Sequence, residues 1–197
     1  MLCDRLGIPH ISTGDMLRDR IREGQGVGTA VVATMQSGAL VSDELVNELV
    51  EQRLACPDAM KGFILDGYPR TLAQAQHLCQ RLTERKREIV VIHLEVDYNV
   101  IIARLTGRRQ CPRCGTLYNL ASQPPRVDNV CDLDGEPLMV RDDDSESVIR
   151  QRLEAYGQQT RPVLDYYRER GRPVYDVDGS YDPPEAVFEK IRAVVEA

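Results

Sequence analysis

The chain has 197 residues and a mass of 22.2 kDa, enough for one substantial domain with inserted lobes. Hydrophobic residues make up 42% and charged residues 28%, with a net charge of −6 and a pI near 5.2. That balance argues against a nucleic-acid or membrane-surface binder, which needs a basic face, and no apolar stretch approaches the roughly 20 residues of a membrane helix.

In chain order, IPHIS at 8–12 reads as a weak strand, and 12–41 as a helical segment that makes no strand. Behind Ser42, an N-cap with Asp43 and Glu44 in the first turn, Leu45, Val46, Leu49, Val50 and Leu54 recur at helical spacing. GFILDG at 62–67 is a strand, and Leu72, Ala75, Leu78, Cys79 and Leu82 mark the next helix. IVVIHLEV at 89–96 is a further strand, followed by a helix carrying Val100, Ile101, Ala103, Arg104 and Leu105. Residues 107–144 are polar, with prolines and cysteines, and predict β or loop structure. A long helical stretch from about Ser145 to Arg170 is expected to bend at Pro162. RPVYDVDG at 172–179 is the last strand, and Val187, Phe188, Ile191, Val194 and Val195 form a final helix entered through Pro183 and Pro184. The strands are short and rich in branched apolar residues, which predicts burial on both faces, as in a parallel sheet. Strand and helix in alternation imply an α/β fold with crossovers, in which 12–41 and 107–144 are insertions.

Of the six cysteines, Cys3, Cys56 and Cys79 are scattered and read as free thiols of a reducing compartment. The amino terminus, MLCDRLGIPH, lacks the pattern of a secretory signal, so the expected location is cytoplasmic. CPRC at 111–114 and CDLD at 131–134, with 16 residues between Cys114 and Cys131, have the spacing of a structural zinc site. Asp134 supplies the fourth ligand beside Cys111, Cys114 and Cys131. The alternative is three free cysteines, but so small a lobe buries little apolar surface and gains from a metal. A nucleic-acid zinc ribbon is disfavoured by the acidic run RDDDSE beside it. Arginine accounts for 22 of the 25 basic residues, which suits bidentate grips on phosphate but also arises from a GC-rich genome. Position has to decide.

GIPHISTGDMLR at 7–18, GALVSDELV at 38–46, FILDGYPRTLAQAQ at 63–76, GRRQCPRCGTLYN at 107–119 and RDDDSESVIRQRL at 141–153 occur in an order that resembles adenylate kinase of the long, zinc-lidded bacterial type. The resemblance implies a nucleoside monophosphate kinase of the P-loop NTPase-like fold. Its core would be 1–11, 42–106 and 145–197, its NMP-binding lobe 12–41 and its LID 107–144. It implies transfer of the terminal phosphate of ATP to AMP, giving two ADP, by a monomer that uses Mg²⁺ with ATP and Zn²⁺ in the LID. Asp66 would hold Mg²⁺ through water, a hard cation preferring oxygen. Gly67 would let the backbone approach AMP, and Arg70 would clamp its phosphate from the turn of Tyr68 and Pro69. Gln74 would hydrogen-bond the adenine, with Thr13, Arg18 and the segment Ala39, Leu40 and Val41 completing the AMP site. Arg104, Arg108, Arg141 and Arg152 would converge on the phosphates, because phosphoryl transfer needs positioning and positive charge. Leu117, Tyr118 and the backbone at Tyr181 would line the ATP side, and Arg109 and Arg150 would be solvated.

The family pattern also includes a Gly-rich phosphate loop ending in Gly-Lys-[Ser/Thr]. Lys61, Lys86 and Lys190 do not sit in such a loop, so roughly 18 residues of strand, loop and helix start are expected to be absent ahead of Met1. The resemblance places that strand in the middle of a five-stranded sheet. Its loss is expected to deprive two strands of a shared partner and to prevent a normal fold. Two alternatives follow: a kinase of another nucleoside monophosphate, and a non-catalytic nucleotide- or zinc-binding remnant.

Overall fold

The computed structural model describes residues 1–24 and 28–196, so residues 25–27 of the predicted helical insertion lie outside the described residues. In chain order the elements are α1 (Leu2–Leu6), β1 (His10–Ser12), α2 (Thr13–Arg22), α3 (Thr29–Gln36), α4 (Asp43–Leu54), β2 (Ile64–Asp66) and α5 (Leu72–Glu84). There follow β3 (Val91–Glu95), α6 (Tyr98–Thr106), β4 (Arg108–Gln110), β5 (Leu117–Asn119), α7 (Glu146–Ala155), α8 (Arg161–Glu169), β6 (Val174–Asp178) and α9 (Pro184–Val195).

The helices start where side-chain oxygens satisfy their first free N–H groups. Ser12 Oγ accepts from the Asp15 N–H at 3.3 Å, Ser42 Oγ from Leu45 at 3.5 Å, and Thr71 Oγ1 from Gln74 at 3.2 Å. Asp97 caps α6 through the N–H groups of Asn99 and Val100. Leu17 of α2, Val46, Leu49 and Val50 of α4, and Leu78 and Leu82 of α5 then bury their apolar faces with Ile11 of β1 in one core. Ala75 of α5 meets Val163, Tyr166 and Tyr167 of α8 in a second core.

The strands pair in two parallel ladders. β1 lies beside β2 with Ser12 opposite Asp66, and β3 lies beside β6 with Val91 opposite Val174 and Glu95 opposite Asp178. Among the described residues, each of these four strands has one hydrogen-bonded neighbour. The expectation of strands buried on both faces is therefore corrected. Leu94 is 50% exposed and Tyr175 39%, so the packed helices leave part of the face of the β3–β6 ladder uncovered.

The insertion at 107–144 contributes the antiparallel pair β4–β5. The predicted bend at Pro162 is also adjusted. The departure from α geometry is a π-helical turn at Tyr156–Thr160, just before the proline. Proline has no N–H to donate and its ring crowds the carbonyl four residues back. The ladder shifts register there, and the Arg161 N–H bonds the carbonyl of Tyr156, five residues earlier.

Candidate active site and metal centre

The carboxyl ends of β1 and β2 carry the residues predicted to bind nucleotide. At the end of β2, Gly67 has φ +72°, a left-handed conformation that glycine adopts without strain. A Cβ there would lie 2.8 Å from Arg70 Nη2 and 3.2 Å from Thr13 Oγ1, so glycine is also what lets these two side chains close in. Thr13 Oγ1 donates to the Gly67 carbonyl at 3.0 Å, and Arg70 Nε donates to the same carbonyl at 2.9 Å. The Tyr68–Pro69 peptide is cis. Tyr68 Oη donates to Asn47 Oδ1 at 2.6 Å.

Gln74 is buried, and its amide is held from both ends. Its Oε1 accepts from the Arg70 N–H at 2.7 Å, and its Nε2 donates to Asp43 Oδ1 at 2.7 Å. An amide carries two N–H groups and two lone pairs, so one of each remains. Asp43, read from sequence only as a first-turn acid, fixes this orientation and also accepts from the Thr71 hydroxyl at 3.0 Å. Asp66 is exposed at the strand end, with Oδ2 3.1 Å from His10 Nε2. Its carboxylate oxygens are the donor type a magnesium ion takes.

Five arginines gather beyond this turn. Burial, and then the neighbouring Arg152 guanidinium, pull Arg70 below the ordinary arginine value, with Arg18 adding to the effect and Asp66 and Asp143 opposing it. Burial does the same to Arg141, helped by Arg18 and Arg108 and opposed by Asp15 and Asp143. Among the described residues, Arg70 has no carboxylate within ion-pair distance, and its side-chain contact is the neutral Gly67 carbonyl. Arg141 is only marginally paired, 3.9 Å from Asp15, and its Nε donates to Gln110 Oε1 at 2.6 Å. Arg108 grips the buried Asp144 with both Nε and Nη2. Arg152 lies 3.3 Å from Asp143 and 3.8 Å from Asp144. Arg18 pairs with Asp15 at 2.6 Å, while its buried Nε has no partner among the described residues.

Arg104 does not join this group. Its guanidinium donates to the carbonyls of Gly179 and Ser180 at 2.9 and 2.8 Å, beside the largely exposed Tyr181. Arg150 binds Glu146 and Tyr98 at the surface, and Arg109 binds carbonyls of its own turn. Sequence reasoning missed Asp15, Asp143, Asp144 and Gln110 as partners of the arginines. The signal was present as three consecutive acids following Arg141, read there only as a run of negative charge.

A cavity of about 590 Å³ separates α2 and α3 from the cysteine-bearing insertion, lined in part by Arg18, Met35, Leu117, Arg141 and Asp143. Ala39 is exposed and Val41 buried on the segment that follows α3. Leu117 faces the cavity, whereas Tyr118, its neighbour on the opposite face of β5, is buried within the insertion.

Inside the insertion, one ligand atom from each of Cys111, Cys114, Cys131 and Asp134 lies within 4.8 Å of the others. A tetrahedral zinc with the usual bond lengths puts two sulfurs about 3.8 Å apart, and sulfur and oxygen about 3.5 Å apart. The Cys114 and Cys131 sulfurs are 3.6 Å apart, and Cys111 Sγ is 3.4 Å from Asp134. Hydrogen bonds from the Cys131 thiol, then from the Glu136 N–H, hold the Asp134 carboxyl down at about 2, so it is an ionised oxygen donor at neutral pH. The donor set fits zinc in both chemistry and spacing.

Among the described residues no helix is long and apolar enough to cross a membrane. The family model for adenylate kinase matches residues 1–172. The chain is 46% identical over 194 residues to an adenylate kinase of Archaeoglobus fulgidus, covering 98% of this chain and 88% of that protein. It is 49% identical over 183 residues to that of Syntrophotalea carbinolica (92% and 84%), and 44% identical over 193 residues to that of Thermotoga neapolitana (97% and 87%). With its paired parallel strands, its gathered arginines and this extent of similarity, the chain belongs to the adenylate kinase family, whose members move the terminal phosphate of ATP reversibly onto AMP to give two ADP.

Proposed function

We propose that the gathered arginines are the phosphate-binding surface of this activity, and that AMP enters from the α2–α3 side. The observation that carries the reading is Arg70, a partly buried guanidinium, repelled by Arg152 and Arg18, and without a carboxylate partner among the described residues. A cation partly withdrawn from water with no counter-charge is held at a cost, and an anionic ligand lowers that cost. Arg70 and Arg18 then hold the AMP phosphate, and Thr13 and Gly67 set the position of Arg70. Gln74 offers its remaining N–H and lone pair to the adenine, with Tyr68, Pro69, Ala39, Leu40 and Val41 forming the pocket around it.

Arg108, Arg141 and Arg152 face the group in transfer. Their work is to neutralise charge on its oxygens and hold donor and acceptor in line. In the absence of nucleotide, Asp143 and Asp144 partly satisfy Arg108 and Arg152. Phosphate oxygens compete for the same donors, so binding exchanges internal ion pairs for ligand contacts. Arg104, the loop at Tyr181 and the exposed Leu117 form the ATP side. Mg²⁺, when bound, shields the ATP phosphates, and the exposed carboxylate of Asp66 would hold it through water. Residues 12–41 and 107–144 act as the NMP-binding lobe and the LID, closing on the cavity between them to exclude water. Zinc in the LID serves structure, with one Zn²⁺ per chain.

The test is an acceptor panel. ADP formation from ATP is measured with AMP, CMP, UMP and GMP in turn, and nucleotide affinity is followed by calorimetry. AMP is expected to be preferred over UMP and GMP by at least tenfold in kcat/KM, because the donor and acceptor of Gln74 match an amino group beside a ring-nitrogen acceptor. Equal use of CMP or UMP would assign the site to another nucleoside monophosphate.

A further inference from the structure

The candidate metal ligands do not stand alone. The Cys114 N–H points at Cys111 Sγ at 3.4 Å, the Thr116 hydroxyl lies 3.1 Å from Cys114 Sγ, and the Tyr118 hydroxyl lies 3.5 Å from Cys131 Sγ. Each of the three sulfurs therefore has at least one polar hydrogen near it. The fourth ligand, Asp134, accepts from the Glu136 N–H at 3.1 Å. Thr116 and Tyr118 are two residues apart on and just before β5, so strand alternation sends both side chains to the inner face. Leu117, between them, is turned out.

The proton on Tyr118 has a defined direction. Its hydroxyl oxygen accepts from the Asp132 N–H at 2.8 Å, and the side chain is only 6% exposed. With that oxygen engaged and bulk water excluded, the hydroxyl hydrogen is left to the Cys131 sulfur. In a free thiol either atom can donate. Once the sulfur is a thiolate, only the hydroxyl can.

Three thiolates and a carboxylate around a divalent zinc leave a surplus of negative charge in a small lobe. Hydrogen bonds to the sulfurs draw off some of that charge and fix the ligand rotamers. We propose that Thr116 and Tyr118 are positioning residues of the metal centre, whose hydroxyls hold the Cys114 and Cys131 thiolates in the geometry zinc requires. The inference rests on reading the four-residue cluster as a zinc site. It assigns Tyr118 to the metal rather than to nucleotide.

The experiment uses the whole chain loaded with zinc, and in parallel with cobalt. Zinc release is measured by competition with a chromophoric chelator, and sulfur-to-cobalt charge-transfer bands are recorded. The unmodified chain is expected to hold one Zn²⁺. Tyr118→Phe keeps the ring and loses the hydroxyl, and Thr116→Val keeps the shape and loses the hydroxyl. Each is expected to lower zinc affinity about 10- to 100-fold and to shift the charge-transfer bands, while Thr116→Ser restores both. A change in melting temperature with unshifted bands and unchanged affinity in both variants overturns the inference, because that is what a purely packing role predicts. An unmodified chain that binds no zinc overturns the zinc reading itself, and the inference with it.

Discussion

Arg70→Ala is expected to lower kcat/KM for AMP about 100- to 1,000-fold, the effect of removing one strong donor from a preorganised anion site. It is also expected to weaken AMP binding by about 1.5–3 kcal/mol, as for loss of a hydrogen bond to a charged group. The reason is specific to this side chain. Arg152 carries Asp143, Arg108 carries Asp144 and Arg18 carries Asp15, so those guanidiniums already have counter-charges. Among the described residues Arg70 has only the Gly67 carbonyl at its Nε, and both its Nη groups remain to be used. Arg70→Lys retains a charge but not the planar fork, so recovery is expected to be partial. The KM for ATP is the control and is expected to move less than threefold, since the proposal puts Arg70 on the AMP side. AMP affinity left intact in Arg70→Ala would remove the basis for the whole assignment of sides.

The strands and their parallel alternation with helices were legible because short branched apolar runs such as Ile64–Asp66 and Val91–Glu95 have few other uses. The caps at Ser42 and Thr71 mark helix starts by local chemistry alone, and Ser42 was read directly. That two strands lack a shared partner was implied by the resemblance, but which side chains are left exposed was not legible. Exposure of Leu94 depends on what lies beside its ladder, which periodicity does not record. The four candidate metal ligands were legible because their spacing is local, two short pairs on two turns. The hydroxyls of Thr116 and Tyr118 were not, since Thr and Tyr in a strand are ordinary and only their alternation against the sulfurs gives them meaning. The same holds for Asp144. Nothing in the run Asp142–Asp144 says which of three identical acids is turned inward. That is decided by Arg108, 36 positions earlier in the chain.

Asp144→Ala is expected to destabilise the protein by about 3–5 kcal/mol, the range for leaving one partner of a buried ion pair alone. For a chain of this length that corresponds to a fall in melting temperature of about 6–20 °C. The Asp144 side chain is fully buried, and Arg108 is 18% exposed, so water compensates little of the loss. The consequence extends further than one pair. Asp144 also lies 3.8 Å from Arg152, so removing it takes a negative charge from between two of the five gathered guanidiniums. Two additional measurements separate this cause from a simple cavity. Saturating ATP is expected to raise the melting temperature of Asp144→Ala more than that of the unmodified chain, because the phosphate proposed to face Arg108 and Arg152 replaces the missing acid. Replacing both partners, Asp144→Leu with Arg108→Met, is expected to recover most of the stability, since two apolar side chains leave no buried charge behind. Catalysis should remain impaired in that double variant, because Arg108 is then absent from the phosphate surface. If the single variant melts with the unmodified protein, Asp144 is not the counter-charge that holds these arginines together without ligand, and their convergence needs another cause.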